Sequence, residues 1–441
     1  MTPATYADLI RELFPRLTGG IRWGLDRTQR LLASVGDPQQ AFRSLHVGGT
    51  NGKGSVSATL AAVLQARDLR VGLYTSPHLC AFRERVQLGG EPLDDALLVA
   101  AARRLWPAFE AERPSFFEAT TALAFLALAQ AGAEVVVAEV GLGGRLDATN
   151  VLRPEVAVLT NVALDHAQYL GNTLESIAGE KAGIIKAGVP VVTAERDPAI
   201  LGIFRSRAAE AGAPFHALAA DEPAAVHPAA GGTAFELATA SWGRLALRTP
   251  LAGAHQAVNA ALAVRALELL PPELRPEAAA VRTGVEAVRW PGRLQREVVG
   301  GRDWLFDVAH NPAGVQALVA ALPDLALPRP IVAVVGILGD KDWSLMLPPL
   351  AAAVDGLVLT EPPSAPSERR WDAVAVLARL PGLVAEAVGD FPAALERARG
   401  RAGSGTVLVT GSFHTVGDAL ALLGRAPAGV DPPLQPRTPR L

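Results

Sequence analysis

The chain alternates short apolar runs with longer segments rich in Ala and Leu. Four apolar runs, "SLHV", "AEVVVAEVG", "EVAVLTNV" and "VPVVTAE", have the length of strands and end at Gly, Pro or polar residues, whereas "SVSATLAAVLQARD" has helical periodicity. Strands separated by segments of helix length predict an α/β fold with a doubly wound, mostly parallel sheet. The weaker alternation over residues 217–248 predicts a small β insertion.

A second α/β pattern follows "RWPGRLQ", residues 289–295, where Pro-Gly interrupts both helices and strands. Apolar runs resume in "DWLFDVAHNPAG", "PIVAVVGILGD", "DGLVLTEPP" and "GTVLVTGSFHTVGDALALL". A chain of 441 residues is long enough for two domains. We predict an N-terminal domain over residues 1–292, a smaller Rossmann-like domain over 293–426 and a disordered, proline-rich tail over 427–441.

Composition narrows the class of protein. Half of the residues are hydrophobic and the formal net charge is −3, which argues against a nucleic-acid partner. The single cysteine, Cys80, allows no internal disulfide and fits a reducing compartment. The start "MTPATYADLI" lacks signal-peptide features, and "TALAFLALAQAGA" is shorter than the roughly 20 residues that span a bilayer, so we predict a buried helix there. We expect a cytoplasmic protein with no membrane partner.

Lysine is rare in this chain. Among 41 Lys and Arg residues, only Lys53, Lys181, Lys186 and Lys341 are lysines. Because arginine supplies most of the positive charge, a lysine marks a position where a compact ammonium or a nucleophilic amine has a use that a guanidinium lacks.

The stretch "GGTNGKGS" follows a predicted strand and precedes a predicted helix, which is the context of a phosphate-binding loop. Its glycines let backbone N–H groups face a phosphate, and the helix N-terminus adds positive potential. Lys53 would reach the β- and γ-phosphates, and Ser55 would ligate Mg²⁺, although Gly54 separates the two where the usual motif has them adjacent. A plain glycine turn is the alternative. The predicted ATP-binding loop residues are Gly49, Thr50, Asn51, Gly52, Lys53, Gly54 and Ser55.

Ten stretches, in order, resemble the folylpolyglutamate synthase/dihydrofolate synthase family, which is similar to the Mur ligases. The resemblance runs from about residue 20 to about residue 418. The stretches are "GTNGKGS", "YTSPHL", "FFEATTALAF", "EVGLGGRLDATN", "NVALDH", "GEKAGIIK", "WPGR", "FDVAHNP", "GDKD" and "TGSFHTVG".

The resemblance implies two Mg²⁺ sites, with K⁺ as a further candidate cation. Glu139 and His166 follow predicted strands, where position alone leaves a solvated glutamate and a structural histidine as alternatives. The family resemblance makes both metal ligands, together with Ser76 and Ser55. It also implies that Lys181 is carbamylated and bridges the second metal, a chemistry open only to an amine. A surface ion pair is the alternative for Lys181, and Lys186 is expected to be an ordinary surface charge. The implied metal ligands are Ser55, Ser76, Glu139, His166 and Lys181.

The resemblance also assigns residues beyond the loop. Asn259, Arg293 and Asp307 are expected to contact ATP, with N-capping of the next helix as the alternative for Asp307. His310 and Lys341 follow strands and are predicted to hold the glutamate substrate or the phosphates. His414 lies near the same cleft, with structural packing as its expected role.

Two stretches, "FFEATT" and "RLDATN", resemble pterin-binding segments of the family. A core position for Phe117 and a turn position for Asp147 are the alternatives. Where such families have "DHTDWLG", this chain has "DHAQYLG", residues 165–171, which leaves substrate specificity open. The implied folate-binding residues are Phe117, Glu118, Leu146, Asp147 and Ala148.

The implied activity is an ATP-dependent ligase that joins L-glutamate to a folate or to dihydropteroate through an acyl phosphate, in a monomer, with Lys53, Lys181 and His166 as the catalytic residues. The motifs do not choose between the two acceptors. A Mur-type amino-acid ligase is disfavoured, since a preceding UDP-binding domain of about a hundred residues has no room before Gly48. A non-catalytic ATP-binding module would have no use for Glu139, His166 and Lys181.

Overall fold

The computed structural model of the chain describes residues 2–19 and 23–432. The α-helices before residue 292 are α1 (Tyr6–Leu13), α2 (Asp26–Ala33), α3 (Lys53–Gln65), α4 (Asp95–Glu112), α5 (Phe116–Gln130), α6 (Ala167–Leu170), α7 (Leu174–Ala182), α8 (Pro198–Glu210), α9 (Ala254–Glu268) and α10 (Ala278–Ala287). The strands of this part are β1 (Arg43–Gly48), β2 (Val71–Tyr74), β3 (Val86–Leu88), β4 (Glu91–Pro92), β5 (Val135–Glu139), β6 (Val156–Leu159), β7 (Val191–Thr193), β8 (Phe215–Ala217), β9 (Ala224–Ala229), β10 (Gly232–Thr239) and β11 (Gly243–Thr249).

The later elements form a second unit. Its strands are β12 (Gln295–Val299), β13 (Arg302–Phe306), β14 (Ile331–Val335), β15 (Gly356–Leu359), β16 (Glu386–Ala387) and β17 (Thr406–Thr410). Its α-helices are α11 (Pro312–Ala321), α12 (Trp343–Ala353), α13 (Ala373–Ala378), α14 (Phe391–Ala402) and α15 (Phe413–Leu422). Short 3₁₀ helices occupy Phe14–Gly19, Pro38–Gln40, Phe82–Arg85, Ala148–Val151, Leu322–Leu325 and Ser367–Arg369.

The first sheet confirms the predicted doubly wound architecture. Within the described ranges it has eight strands in the order β4-β3-β2-β5-β1-β6-β7-β8, parallel from β2 to β8, with β3 and β4 antiparallel at one edge. Successive side chains of β5 point to opposite faces. Val136 and Ala138 pack with α1, α2, α4 and α5, whereas Val135 and Val137 pack with α3, α9 and α10. Burial on both faces explains why the strand is a continuous apolar run.

The predicted β insertion is confirmed as an antiparallel sheet in the order β11-β10-β9, three strands in the portion that the structure describes. Phe235 of β10 lies opposite Leu247 of β11, and both are buried in the same core as α9 and α10. The insertion therefore packs on the layer of helices α9 and α10, which lies against one face of the first sheet.

The second unit carries its own sheet and core. Its order is β12-β13-β17-β14-β15-β16, six strands among the described residues, with β12 and β13 antiparallel and the others parallel. Helices α11, α12 and α13 pack on one face, and α14 and α15 pack on the other. The predicted boundary lies in the connection between α10 and β12, residues 288–294. The domain limits 1–292 and 293–426 stay a prediction.

The predicted disorder of the tail is wrong for residues 427–432. Asp431 accepts hydrogen bonds from the Tyr6 hydroxyl at 2.7 Å and from the Phe82 backbone N–H at 2.8 Å. These contacts tie the segment to α1 and to the loop after β2. The rest of the predicted tail, residues 433–441, lies outside the described residues.

The apolar stretch "TALAFLALAQAGA" lies largely in α5, a buried helix as predicted. In the part of the chain that the structure describes, no helix combines the length and the apolarity needed to cross a bilayer.

Candidate active site

One cavity of about 360 Å³ lies where the two units meet. The loops after β1, β5 and β6 line it from the first unit, and the loop after β13 lines it from the second. From β1 the chain moves to β2 and β5 on one side of the sheet and then to β6, β7 and β8 on the other. The carboxyl ends of strands at such a reversal form the crevice where open α/β sheets bind ligands.

The predicted phosphate-binding loop lies on the wall of this cavity. Gly49 has φ +135° and Gly52 has φ +85°, conformations that favour glycine. Helix α3 begins at Lys53, so its free N–H groups face the cavity, and the Lys53 ammonium donates to the Thr50 carbonyl at 3.0 Å. The loop residues that line the cavity are Gly49, Thr50, Asn51, Gly52, Lys53, Gly54 and Ser55.

Two oxygen ligands on the cavity wall, one from the loop and one from β5, fit a divalent cation. Ser55 is 1% exposed, and its hydroxyl has no hydrogen-bond partner among the described residues. Glu139 ends β5 on the cavity wall and accepts from the Ser76 backbone N–H at 3.1 Å. Burial raises the pKa of Glu139, and the nearby Lys53 acts in the opposite direction. A buried unpaired hydroxyl and a carboxylate are donors that Mg²⁺ accepts. The described chain contains no cluster of three His, Cys, Asp or Glu residues suited to a metal.

Lys181 is buried, at 4% exposure, near the end of α7. Its amine donates to the Gly49 carbonyl at 2.8 Å, and burial together with Lys53 lowers its pKa to about 7. The surface ion pair is therefore wrong as an alternative, and Glu180 pairs instead with Arg145 at 2.8 Å.

The expectation that Lys186 is an ordinary surface charge is wrong. The side chain is half-buried, and its amine donates to the Asn150 carbonyl at 2.8 Å. Burial lowers the pKa of Lys186. The lysine therefore ties α7 and its C-terminal extension to the loop after β5.

His166 lines the cavity from the start of α6. Its backbone is left-handed, with φ +53°, and its side chain is 31% exposed. Burial and the charge of Lys341 lower the pKa of His166 to about 3, so the imidazole is neutral at pH 7. A neutral imidazole is the form that ligates a metal.

The second unit contributes the carboxylate of Asp307 to the cavity wall. Asp307 accepts from the backbone N–H groups of Leu294 at 3.0 Å and Ala309 at 2.9 Å, and burial raises its pKa. N-capping of α11 by Asp307 is wrong, because Asn311 performs it by accepting from the Gly314 N–H at 2.8 Å. Asp307 thus holds the connection of residues 288–294 to the loop after β13 while it faces the cavity.

Arg293 and Asn259, which the family resemblance assigns to ATP, also lie on the cavity wall. The Arg293 guanidinium lies 5.1 Å from the ring centroid of Phe413, and the His310 ring lies 5.5 Å from the same ring. Asn259 donates to Gln256 at 3.0 Å. Sequence reasoning missed Phe413, since an aromatic residue at the start of a helix has no chemical signature of its own.

Asp165 is the second residue that sequence reasoning missed. One carboxylate oxygen lies 2.5 Å from the Lys341 amine, and the other lies 3.4 Å from His310. Burial acts to raise its pKa, but His310 and Lys341 hold the pKa of Asp165 well below its ordinary value. Lys341 does not line the cavity. The signal was present, because Asp165 directly precedes His166 in "NVALDH".

Comparison with known proteins agrees with this geometry. The family model of the Mur ligase middle domain matches residues 47–267, and that of the Mur ligase glutamate ligase domain matches residues 292–413. The dihydrofolate synthase/folylpolyglutamate synthase of Bacillus subtilis is 38% identical over 354 residues, which cover 78% of this chain and 82% of the relative. The chain belongs to the folylpolyglutamate synthase/dihydrofolate synthase family.

Solved structures of the family share the whole fold. The Mycobacterium tuberculosis folylpolyglutamate synthase complexed with ADP has a TM-score of 0.87 and 33% identity, and the match covers 96% of this chain and 99% of that one. Escherichia coli FolC in complex with DHPP and ADP has a TM-score of 0.83 and 32% identity, with coverage of 96% and 99%. The arrangement of both units is thus that of the family.

The stretches that resemble the family's pterin-binding segments lie directly behind the cavity wall and do not line the cavity. Phe117 packs against Gly141, where an added Cβ would overlap its ring. Glu118 accepts from Arg27 at 2.6 Å, and Asp147 accepts from the Gly141 N–H at 3.0 Å. Both carboxylates are therefore used within the protein, and the pterin role stays a prediction. The residues of this group that are absent from the cavity wall, among those described, are Phe117, Glu118, Leu146, Asp147 and Ala148.

His414 takes the structural role expected for it. Its Nδ1 lies 2.9 Å from the Ser364 hydroxyl, and burial lowers its pKa to about 4.

Proposed function

We propose that the chain is an ATP-dependent amide ligase that adds L-glutamate to a folate, and to dihydropteroate as a second acceptor, with release of ADP and phosphate. The observation that supports it most is the convergence of the phosphate-binding loop, Glu139, Lys181 and Arg293 on one cavity between two units. The Bacillus subtilis relative carries the names of both activities. A Mur-type ligase acting on another carboxylate remains the rival.

The proposed reaction has two steps. A carboxylate oxygen of the acceptor attacks the γ-phosphorus of ATP, the bond to the bridging oxygen breaks, and ADP leaves. The amine of glutamate then attacks the acyl phosphate carbon, the carbon–oxygen bond to phosphate breaks, and the amine loses a proton as the amide forms. Lys53 and the N–H groups at the start of α3 would hold the transferring phosphate. The cavity between the two units would keep water from the acyl phosphate.

The proposal includes two Mg²⁺ ions, with K⁺ as a further cation. Ser55 and Ser76 would supply hydroxyls, Glu139 a carboxylate and His166 a neutral imidazole, and carbamylated Lys181 would supply a second carboxylate. Bound Mg²⁺ would neutralise charge on the phosphates. The unpartnered Ser55 hydroxyl supports the first site.

Carbamylation of Lys181 needs a neutral amine, because an ammonium has no lone pair to attack CO₂. A pKa of about 7 makes about half of the side chain neutral at pH 7. The new bond joins the lysine nitrogen to the carbon of CO₂, and one N–H proton leaves. The resulting carbamate is an anion in place of a cation, which suits a metal ligand.

The remaining assignments are part of the same proposal. Asn259, Arg293 and Asp307 would contact ATP, and His310 would contact the glutamate substrate. The sequence also predicts that Lys341 holds the glutamate substrate or the phosphates, but the structure pairs its amine with Asp165. The proposal also includes a monomer and a cytoplasmic location.

The test is ADP release by purified protein with ATP, Mg²⁺ and glutamate, run in parallel with dihydropteroate and with tetrahydrofolate. Each component is omitted in turn as the control. We expect ADP only when glutamate and an acceptor are both present, and turnover with both acceptors. Turnover with one acceptor assigns that activity alone. Turnover with neither would contradict the proposal and favour a different carboxylate substrate, and nucleotide binding without any turnover would favour a binding module.

A further inference from the structure

Asp165 joins the two units through three side chains of the second unit. The carboxylate lies 2.5 Å from the Lys341 amine and 3.4 Å from His310, and it accepts from the Asn311 side-chain amide at 3.1 Å. The side chains of Asp165 and Lys341 are only 8% and 6% exposed. His166 faces the same carboxylate at 3.8 Å. A nearly buried anion with three partners on another unit is more than a surface ion pair.

The contact continues into the phosphate-binding loop. Asn311 donates to Asp165 and also to the side-chain oxygen of Asn51 at 2.9 Å, while its own oxygen caps α11. The Asn51 N–H in turn donates to Asn161 at 3.0 Å. Asn311 is 1% exposed, so this amide has little freedom to turn away. The loop residue Asn51 is therefore held from the second unit as well as from the first.

We propose that Asp165 is a positioning residue of the ligase, which holds Lys341 and Asn311 of the second unit against Asn51 of the phosphate-binding loop. The inference rests on the proposed function. Separation of the units would leave the Asp165 carboxylate and the Lys341 ammonium to water, whereas closure pairs them and aligns the loop with Arg293 and Asp307. Lys341 then serves as the partner of Asp165 and not as a ligand of the substrate glutamate.

The kinetic test compares Asp165→Asn, Lys341→Met and the double variant. Removal of one partner from a buried, hydrogen-bonded pair weakens its interaction strongly, so each single change should lower kcat at least about 30-fold, with less than about a threefold change in the KM for ATP and for glutamate. The double variant should be no worse than either single variant, because both changes break the same contact. Asp303→Asn is the matched control, since Asp303 pairs with Arg296 at 2.6 Å within the β12–β13 hairpin and neither residue lines the cavity.

Each contrary outcome overturns the inference. If the fold-losses in kcat of the two single variants multiply in the double variant, Asp165 and Lys341 act separately. A KM for glutamate raised about tenfold or more in Lys341→Met alone would make Lys341 a substrate ligand. A raised Mg²⁺ requirement in Asp165→Asn, without coupling to Lys341, would show that Asp165 acts through its neighbour His166.

A second measurement does not depend on the reaction. Amide hydrogen exchange of residues 49–53 in the ligand-free protein should rise by about fivefold or more in Asp165→Asn and Lys341→Met, and should not change in Asp303→Asn. Unchanged exchange in both variants would contradict the inference. If the wild-type protein releases no ADP with any acceptor, the proposed function fails, and hydrogen exchange alone decides whether Asp165 holds the loop.

Discussion

Replacement of Lys181 by methionine should change how the stability of the protein depends on pH. Burial, with the charge of Lys53, lowers the pKa of this lysine from 10.5 to about 7 in the folded chain. Between these two pH values the unfolded state binds more protons than the folded state, so the free energy of unfolding rises with pH. Methionine carries no proton, and a Lys181→Met variant loses this contribution to the slope.

The magnitude follows from the two pKa values. For pKa values of about 7 folded and 10.5 unfolded, ionisation of Lys181 disfavours folding by roughly 5 kcal/mol at pH 6 and by roughly 2 kcal/mol at pH 9. The wild-type protein should therefore gain roughly 3 kcal/mol relative to the variant over this range. Loss of the hydrogen bond to the Gly49 carbonyl costs the variant roughly 1–3 kcal/mol at every pH, which offsets the two curves without changing their relative slope.

The assay is denaturant unfolding at pH 6 and pH 9, in buffers free of Mg²⁺ and CO₂ so that Lys181 stays an amine. Arg153→Met is the control, because Arg153 is exposed and arginine keeps its proton throughout this range. The control should run parallel to the wild type. A Lys181→Met curve that also runs parallel to the wild type, within about 1 kcal/mol, would refute the argument that this amine is buried with a depressed pKa.

Substitutions at three further positions test the cavity. Lys53→Ala should abolish ATP turnover with little change in Tm, and an active variant would contradict its role at the phosphates. Gly54→Ala would place a Cβ 2.6 Å from the Trp290 indole nitrogen, so the loop or the indole ring must shift. Nucleotide binding, measured by titration calorimetry, should weaken, and unchanged affinity would contradict this. Phe413→Leu removes the ring that faces Arg293 and should raise the KM for ATP about two- to fivefold, whereas Phe413→Tyr should keep the KM near that of the wild type. Equal KM values for the two variants would show that the ring contact with Arg293 does not affect ATP binding.

The sequence predicts the fold and the cavity wall well where chemistry and local pattern coincide. The loop around Lys53 and the carboxylate of Glu139 stand at the ends of apolar strands, and parallel strands bring such ends to one edge. Lys181 could be selected because lysine is so rare in this chain, but its burial could not be predicted, since that depends on how α7 packs behind Gly49.

Contacts between distant parts of the chain could not be predicted in the same way. Asp165 and Lys341 are 176 residues apart, and their pairing depends on how the two units meet. The docking of Asp431 onto Tyr6 spans 425 residues and overrides a local composition typical of disorder. For residues that make such long-range contacts, the sequence gives only the residue type. The residue type alone does not predict which distant residue will be the partner.

The measurement that tests the central claim most directly follows the oxygen atoms. An acceptor labelled with ¹⁸O in its reacting carboxylate is turned over with ATP, Mg²⁺ and glutamate, and the released phosphate is analysed by mass spectrometry. If an acyl phosphate forms, each amide bond made leaves one labelled oxygen in phosphate, because the carboxylate oxygen that attacked the γ-phosphorus departs with it. Amide product accompanied by unlabelled phosphate would contradict the proposed ligase mechanism.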